Sequence, residues 1–162
     1  MVEASQAAAA GGIVIPVPGS RTMDFYEPPP NVLDTRIEDV IGNRFIMKRG
    51  NTEREREETS LRDDATCEQF EGLKYVGLLF SMEKCPPCQM MMQTLKNFYT
   101  DVNLEERQFE IVLVSSDESQ EDCDTHFSNM PWMALNWADP KNNQLREKFQ
   151  ILGIPALIIL DA

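Results

Sequence analysis

The sequence predicts an α/β domain built on a central, mostly parallel sheet flanked by helices. Three continuous apolar runs of strand length, at residues 75–80, 109–114 and 156–160, carry this expectation. Strands buried on both faces read as unbroken apolar runs instead of alternating ones. The segments between them have helical spacing, and strands that alternate with helices imply an α/β fold. At 162 residues the chain has room for one ordinary domain plus an appendage.

The elements follow in chain order. Residues 1–37 carry an alanine run, Gly11-Gly12, Pro16, Pro18 and Pro28-Pro29-Pro30, with neither helical nor strand periodicity. Such a segment cannot offset its ordering entropy by burial, so it is expected to be a disordered extension, with a docking arm as the lesser reading. The domain proper is expected over 38–162. Residues 40–48 read as a turn and a first short strand. Residues 52–64 form a dense charge run of alternating sign, expected to be a solvated loop or short exposed helix. After the strand at 75–80, Met91, Leu95, Phe98 and Val102 recur at amphipathic-helix spacing. Residues 119–127 read as a helix with Ser119 as N-cap and acidic residues in the first turn. Residues 142–149 form a further short helix before the last apolar run.

Charge narrows the function classes. The 27 acidic and 15 basic residues leave a net charge of −12, which repels phosphate backbones and anionic lipid. Nucleic acid and membrane are therefore not expected as partners. The first residues contain Glu3 and no basic residue, unlike the start of a secretory signal. A reducing cytoplasmic setting is expected, with the nucleus as the alternative.

The four cysteines are unevenly placed: Cys67 and Cys123 stand apart, whereas Cys85 and Cys88 close the run Cys85-Pro86-Pro87-Cys88. A chain of this size needs no disulfide framework, so the close pair points to redox or metal chemistry. The run lies between a buried strand and a helix. A residue before proline favours extended dihedrals, which an N-cap also adopts. Pro86 and Pro87 then fall in the first turn, where a missing N–H breaks no intrahelical bond. Cys85 is thus expected at the positive end of the helix dipole, where a thiolate is stabilised. Cys88 follows within disulfide reach. Lys84 adds a cation beside the nucleophile, and Glu83 partly opposes it. A competing reading joins Cys85, Cys88, Cys123 and His126 as a Cys3His zinc set. The two prolines argue against it by removing N–H donors to the thiolates, so no metal or cofactor is expected. His126 is then expected on a helix surface and Cys123 as a half-buried apolar residue.

Four blocks give the region from Asp39 to Ala162 a resemblance to the tryparedoxin and nucleoredoxin branch of the thioredoxin superfamily. They are residues 75–81, Cys85-Pro86-Pro87-Cys88, Met130-Pro131-Trp132-Met133-Ala134-Leu135, and Gly153-Ile154-Pro155-Ala156-Leu157. The resemblance implies a thioredoxin-like fold in which the Ile154–Pro155 bond is cis and faces the redox pair. It also implies that Ile154 offers backbone hydrogen bonds to substrate. Trp132 is implied either to line the groove or to pack in the core. Three departures stand out. Lys84 holds the place of the usual tryptophan, Gln89 that of a basic residue, and Leu79 that of the buried aspartate of classical thioredoxins. The family's last strand and helix also have no counterpart after Ala162, so residues 156–160 are expected to form an unpaired apolar edge of a truncated chain.

The function expected is a protein-disulfide reductase in which Cys85 and Cys88 are catalytic and Lys84, Trp132, Ile154 and Pro155 meet the substrate. Its partners would be disulfide-containing proteins or small thiols, and an external dithiol or NADPH-linked reductant. The rival expectation is a non-catalytic thioredoxin-fold adaptor or redox sensor.

Overall fold

Side chains alternate between the two faces of a strand, and along the apolar runs this alternation divides the core into two layers. A computed structural model describes residues 13–14, 36–48 and 62–162. Its elements are β1 (Ile13–Val14), α1 (Ile37–Ile41), β2 (Phe45–Lys48), β3 (Arg62–Ala65), a 3-10 helix (Cys67–Phe70), β4 (Tyr75–Ser81) and α2 (Pro86–Val102). There follow β5 (Phe109–Ser115), α3 (Gln120–Ser128), β6 (Met133–Ala134), α4 (Lys141–Lys148) and β7 (Ala156–Asp161). The strands form one sheet in the order β1-β7-β4-β5-β6-β2-β3.

Val76, Leu78 and Phe80 of β4, with Val112 and Val114 of β5, face a layer closed by α1, the 3-10 helix and α4. Leu79, Phe109, Ile111 and Leu113 face the opposite layer, closed by Leu95 and Tyr99 of α2 and Phe127 of α3. Helices on both sides explain why β5 is buried along its whole length.

The sheet is mixed. β4, β5 and β6 run parallel, as crossover helices between them require. β7 runs antiparallel to β4, pairing Ala156 with Phe80 and Asp161 with Tyr75. The apolar run of a doubly buried strand carries no sign of its direction, so the sequence could not distinguish the two.

Four local expectations are corrected. Val40 and Ile41 end helix α1 where a turn was expected, ahead of the expected strand at β2; with Ile37 they recur at helical spacing and pack on the first layer. Gly42, at φ +83°, then stops the helix, its N–H donating to Glu38 O at 2.8 Å. Of the charge run, 52–61 lie outside the described residues, but Arg62, Asp63 and Asp64 belong to β3, paired antiparallel with β2. Charge on a sheet edge blunts pairing with other chains. The edge of β7 is not bare, because Ile13 pairs with Ile159 and Val14 with Ile158. The rest of the expected extension, up to residue 35, lies outside the described residues. In α2, Tyr99 is buried where Phe98 was expected; Phe98 is half-exposed and edge-on to Phe109.

Gly77 carries a packing constraint of its own. A Cβ there would meet Phe109 Cζ at 2.9 Å and Leu157 Cδ1 at 3.1 Å. Gly77→Ala is expected to destabilise the fold by about 1–3 kcal/mol through overpacking. Urea titration checks this, and adding Phe109→Leu should recover part of the loss.

Candidate active site

Two strands deliver the chain to one end of the sheet. β4 ends at Ser81 and leads through Met82, Glu83 and Lys84 into α2, while the antiparallel β7 begins at that same end. The Ile154–Pro155 peptide, which is cis, immediately precedes β7. Cys85-Pro86-Pro87-Cys88 and the Gly153-Ile154-Pro155 turn therefore share the carboxyl end of β4.

Cys85 is the N-cap of α2, with φ −132° and ψ 100°, and Pro86 and Pro87 fill the first two helical positions. Neither proline has an N–H, so the first turn's leading free amide is that of Cys88, which donates to Cys85 Sγ at 3.3 Å. The Gln89 N–H closes the first helical bond to Cys85 O at 3.1 Å. The prolines thus leave the positive end of the helix concentrated on one sulfur, an arrangement that favours a thiolate. Cys85 and Cys88 are joined as a disulfide with their Cα atoms 5.2 Å apart. Cys85 is 9% exposed and Cys88 is 0% exposed. Only the first sulfur can meet an incoming molecule.

The approach to Cys85 is held on every side. The Glu83 N–H donates to Asp117 Oδ1 at 2.7 Å, and Gln89 Nε2 donates to Glu83 O at 2.8 Å. Asp117 Oδ2 accepts from Ser115 Oγ at 2.8 Å, and the Asp117 carbonyl accepts from Trp137 Nε1 at 2.9 Å. His126 reaches in from α3, with Nδ1 3.1 Å from Glu83 Oε2 and Nε2 2.8 Å from Ser81 Oγ. An ionised carboxylate only accepts, so a neutral His126 carries its proton on Nδ1 and takes the Ser81 O–H at Nε2. Burial pushes the His126 pKa below its usual value, with Asp117 and Glu83 pulling the other way.

Several expected site residues sit differently in the structure. The Lys84 ammonium is shared with a carboxylate: its Nζ lies 2.8 Å from Asp122 Oδ2 on α3. That hydrogen bond, reinforced by charge, raises the Lys84 pKa and lowers that of Asp122. Trp132 is wholly buried, edge-on to Tyr99 at 5.5 Å, with Nε1 donating to Met130 Sδ at 3.2 Å. Core packing describes it, and it offers no face to a ligand. His126 is buried rather than on a helix surface, because both ring nitrogens have partners across the α2–α3 side of the sheet. Those partners turn it away from any zinc set, and among the described residues no group of three or more His, Cys, Asp or Glu is disposed to hold a metal. Cys123 is buried rather than half-buried, and desolvation raises its pKa. Cys67 donates to Gly42 O at 3.0 Å, and burial, aided by Glu38, pushes its thiol up to about 11. Both thiols are therefore harder to ionise than an ordinary cysteine.

The polar group around Glu83 was not legible from spacing, since Glu83 and His126 stand 43 residues apart. The Cys123–His126 spacing marks His126 as a candidate ligand, whereas its ring nitrogens meet Ser81 and Glu83.

Comparison with known proteins agrees with this geometry. Residues 72–162 match the family described as Thioredoxin-like. Nucleoredoxin of Xenopus laevis is 43% identical over 88 residues, which are 54% of this chain and 21% of that protein. Tryparedoxin of Trypanosoma brucei brucei is 36% identical over 90 residues, 55% of this chain and 62% of that protein. The chain thus spans about a fifth of the length of that nucleoredoxin. Among solved structures, tryparedoxin II of C. fasciculata superposes with a TM-score of 0.60 at 30% identity, covering 74% of this chain and 70% of the other. With its fold, its placed cysteine pair and these relatives, the chain belongs to the thioredoxin-like family, in the tryparedoxin and nucleoredoxin branch.

Proposed function

We propose that this chain is a thiol–disulfide oxidoreductase that reduces disulfides, with Cys85 as nucleophile and Cys88 as resolving thiol. The observation that carries it is the asymmetry of the pair: an accessible sulfur at the N-cap of α2 receives the Cys88 N–H, and the second sulfur lies fully buried behind it. In the reduced protein, Cys85 thiolate attacks a substrate disulfide; that S–S bond breaks, and the departing thiolate takes a proton from solvent. Cys88 then loses its proton and attacks Cys85 Sγ. The Cys85–Cys88 disulfide forms, the second substrate thiol leaves, and two electrons have passed to the substrate. An external dithiol or an NADPH-linked reductant restores the pair, and no cofactor resides in the chain.

Protein disulfides and small disulfides are the substrate class. Ile154 and Pro155 form the substrate-side rim in this reading, because they lie at the end of the sheet where Cys85 sits. Lys84, exposed beside the nucleophile, meets the substrate as part of an ion pair with Asp122. The catalytic unit is residues 38–162, with Ile13–Val14 of the preceding segment lending its sheet an edge strand and Ile37 opening α1. A cytoplasmic or nuclear setting suits a chain whose acidity repels nucleic acid and anionic lipid. Among the described residues no helix is long and apolar enough to cross a membrane.

Trapping tests this reading. A Cys88→Ser variant lacks the resolving sulfur, so incubation with an oxidised thiol-bearing protein should accumulate a mixed disulfide at Cys85, detected as a dithiothreitol-sensitive adduct by mass spectrometry. No adduct at Cys85 would leave the chain as an adaptor without turnover.

A further inference from the structure

Glu83 is the most completely tethered residue on the way to the nucleophile. Its N–H is held by Asp117, its carbonyl by Gln89 and its carboxylate by His126. These partners come from the turn after β5, from α2 and from α3. Gln89 follows Cys88 directly and Glu83 stands two residues before Cys85, so the tether brackets the redox run. The Glu83 side chain is 25% exposed and that of His126 is 4% exposed. The carboxylate is thus turned toward a buried ring instead of moving freely in water. Ser81, the last residue of β4, holds the other face of the ring.

We propose that Glu83 and His126 are a positioning pair for Cys85, fixing one anion on the segment that leads into the nucleophile so that the charge state of the pair tunes the reactivity of the sulfur. The inference deepens the oxidoreductase reading and rests on Cys85 being the nucleophile.

The geometry permits the charge to change without breaking the tether. When the ring gains a second proton, Nδ1–H still donates to Glu83, while Nε2–H donates to Ser81 Oγ, whose hydroxyl can rotate to accept. The pair passes from net −1 to neutral. A negative charge near a thiol opposes its ionisation, so the neutral pair favours the Cys85 thiolate. The charged groups around His126 come from every element packed on it. Glu83 leads into α2, and Asp117 follows β5. Arg62 of β3 is paired with Asp124 of α3. Lys84 is paired with Asp122 of α3, and Lys48 of β2 donates to Ser128 O at the end of α3. Glu121 and the raised thiol of Cys123 complete the α3 set. Arg62 and Lys84 are each committed to an α3 carboxylate, which leaves Glu83 and Asp117 as the anions that act on His126, and of the two Glu83 is the one hydrogen-bonded to the ring.

The test is the alkylation rate of Cys85 in fully reduced protein with iodoacetamide, followed by peptide mass spectrometry from pH 5 to 8. Glu83→Gln removes the anion and should speed alkylation about three- to tenfold at pH 7, the scale of one nearby charge in partly screened surroundings. Glu83→Asp keeps the charge and should stay at the slow rate. His126→Gln keeps an amide donor but cannot take a charge. It should match the unaltered protein at pH 8 and fall behind it by twofold or more as pH drops to 5. A merely structural role moves all three variants the same way at every pH. A Glu83→Gln rate no faster than the unaltered protein, or a His126→Gln profile parallel to it throughout, overturns the pairing. If Cys85 of the unaltered protein reacts no faster than Cys67, the oxidoreductase reading itself fails. If Cys85 is fast and the variants leave it unmoved, only this pair fails.

Discussion

Cys85→Ser is expected to lower disulfide reduction by at least about 10³-fold, the scale on which removing an enzyme's nucleophile acts. The size of the effect follows from three separate losses. A serine hydroxyl is almost wholly protonated at neutral pH, so the helix N-terminus has no anion to stabilise. No disulfide can form with Cys88, which removes the oxidised product state altogether. Cys88 cannot take over, because it is buried in the first turn of α2 with no exposed surface. The fold should be little disturbed, since a serine is itself a favoured N-cap and can accept the Cys88 N–H that Cys85 Sγ now accepts. An insulin-reduction assay with dithiothreitol, alongside circular dichroism of the same sample, checks both halves. Turnover within tenfold of the unaltered protein would remove Cys85 from the mechanism.

The parts of this site that sequence made legible are those governed by local chemistry. Dihedral restriction before Pro86, tolerance of proline in a first turn and the three-residue gap to Cys88 are all decided within one helical turn, and the observed N-cap follows from them. Ser119 behaves likewise, accepting from Asp122 N at 3.1 Å to start α3. The three apolar runs became β4, β5 and β7 because only a doubly covered strand buries so many consecutive apolar residues. What escaped depends on partners distant in sequence. The two residues of β1 have no pattern of their own and are a strand only because β7 presents backbone groups to pair. Lys84 stands next to Cys85 in sequence, yet a carboxylate 38 residues away claims its ammonium. His126 looked like a surface residue because α3 is polar around it. Its burial comes from Ser81 and Glu83 closing over the ring from a different element.

Trp132→Ala should destabilise the protein by roughly 3–5 kcal/mol, the range for truncating a large buried aromatic. Trp132 has 0% exposure and sits in the layer shared by α2, α3 and the sheet. Its ring meets Tyr99 edge-on, a contact that adds to area burial. Tyr99 in turn is committed through its hydroxyl to Glu110 Oε1 at 3.0 Å, so it cannot collapse into the space without abandoning a buried carboxylate. The cavity therefore stays open, which places the cost toward the upper part of the range. Thermal unfolding should shift down by on the order of 10–20 °C for a domain of this size. Trp132→Phe separates packing from ligand contact, because it keeps an aromatic ring facing Tyr99 and should fold. With Trp132 acting only in the core, that variant keeps the KM for a disulfide substrate while losing some stability. A KM raised severalfold at unchanged stability would instead place the indole against the substrate, which its complete burial in the disulfide form argues against.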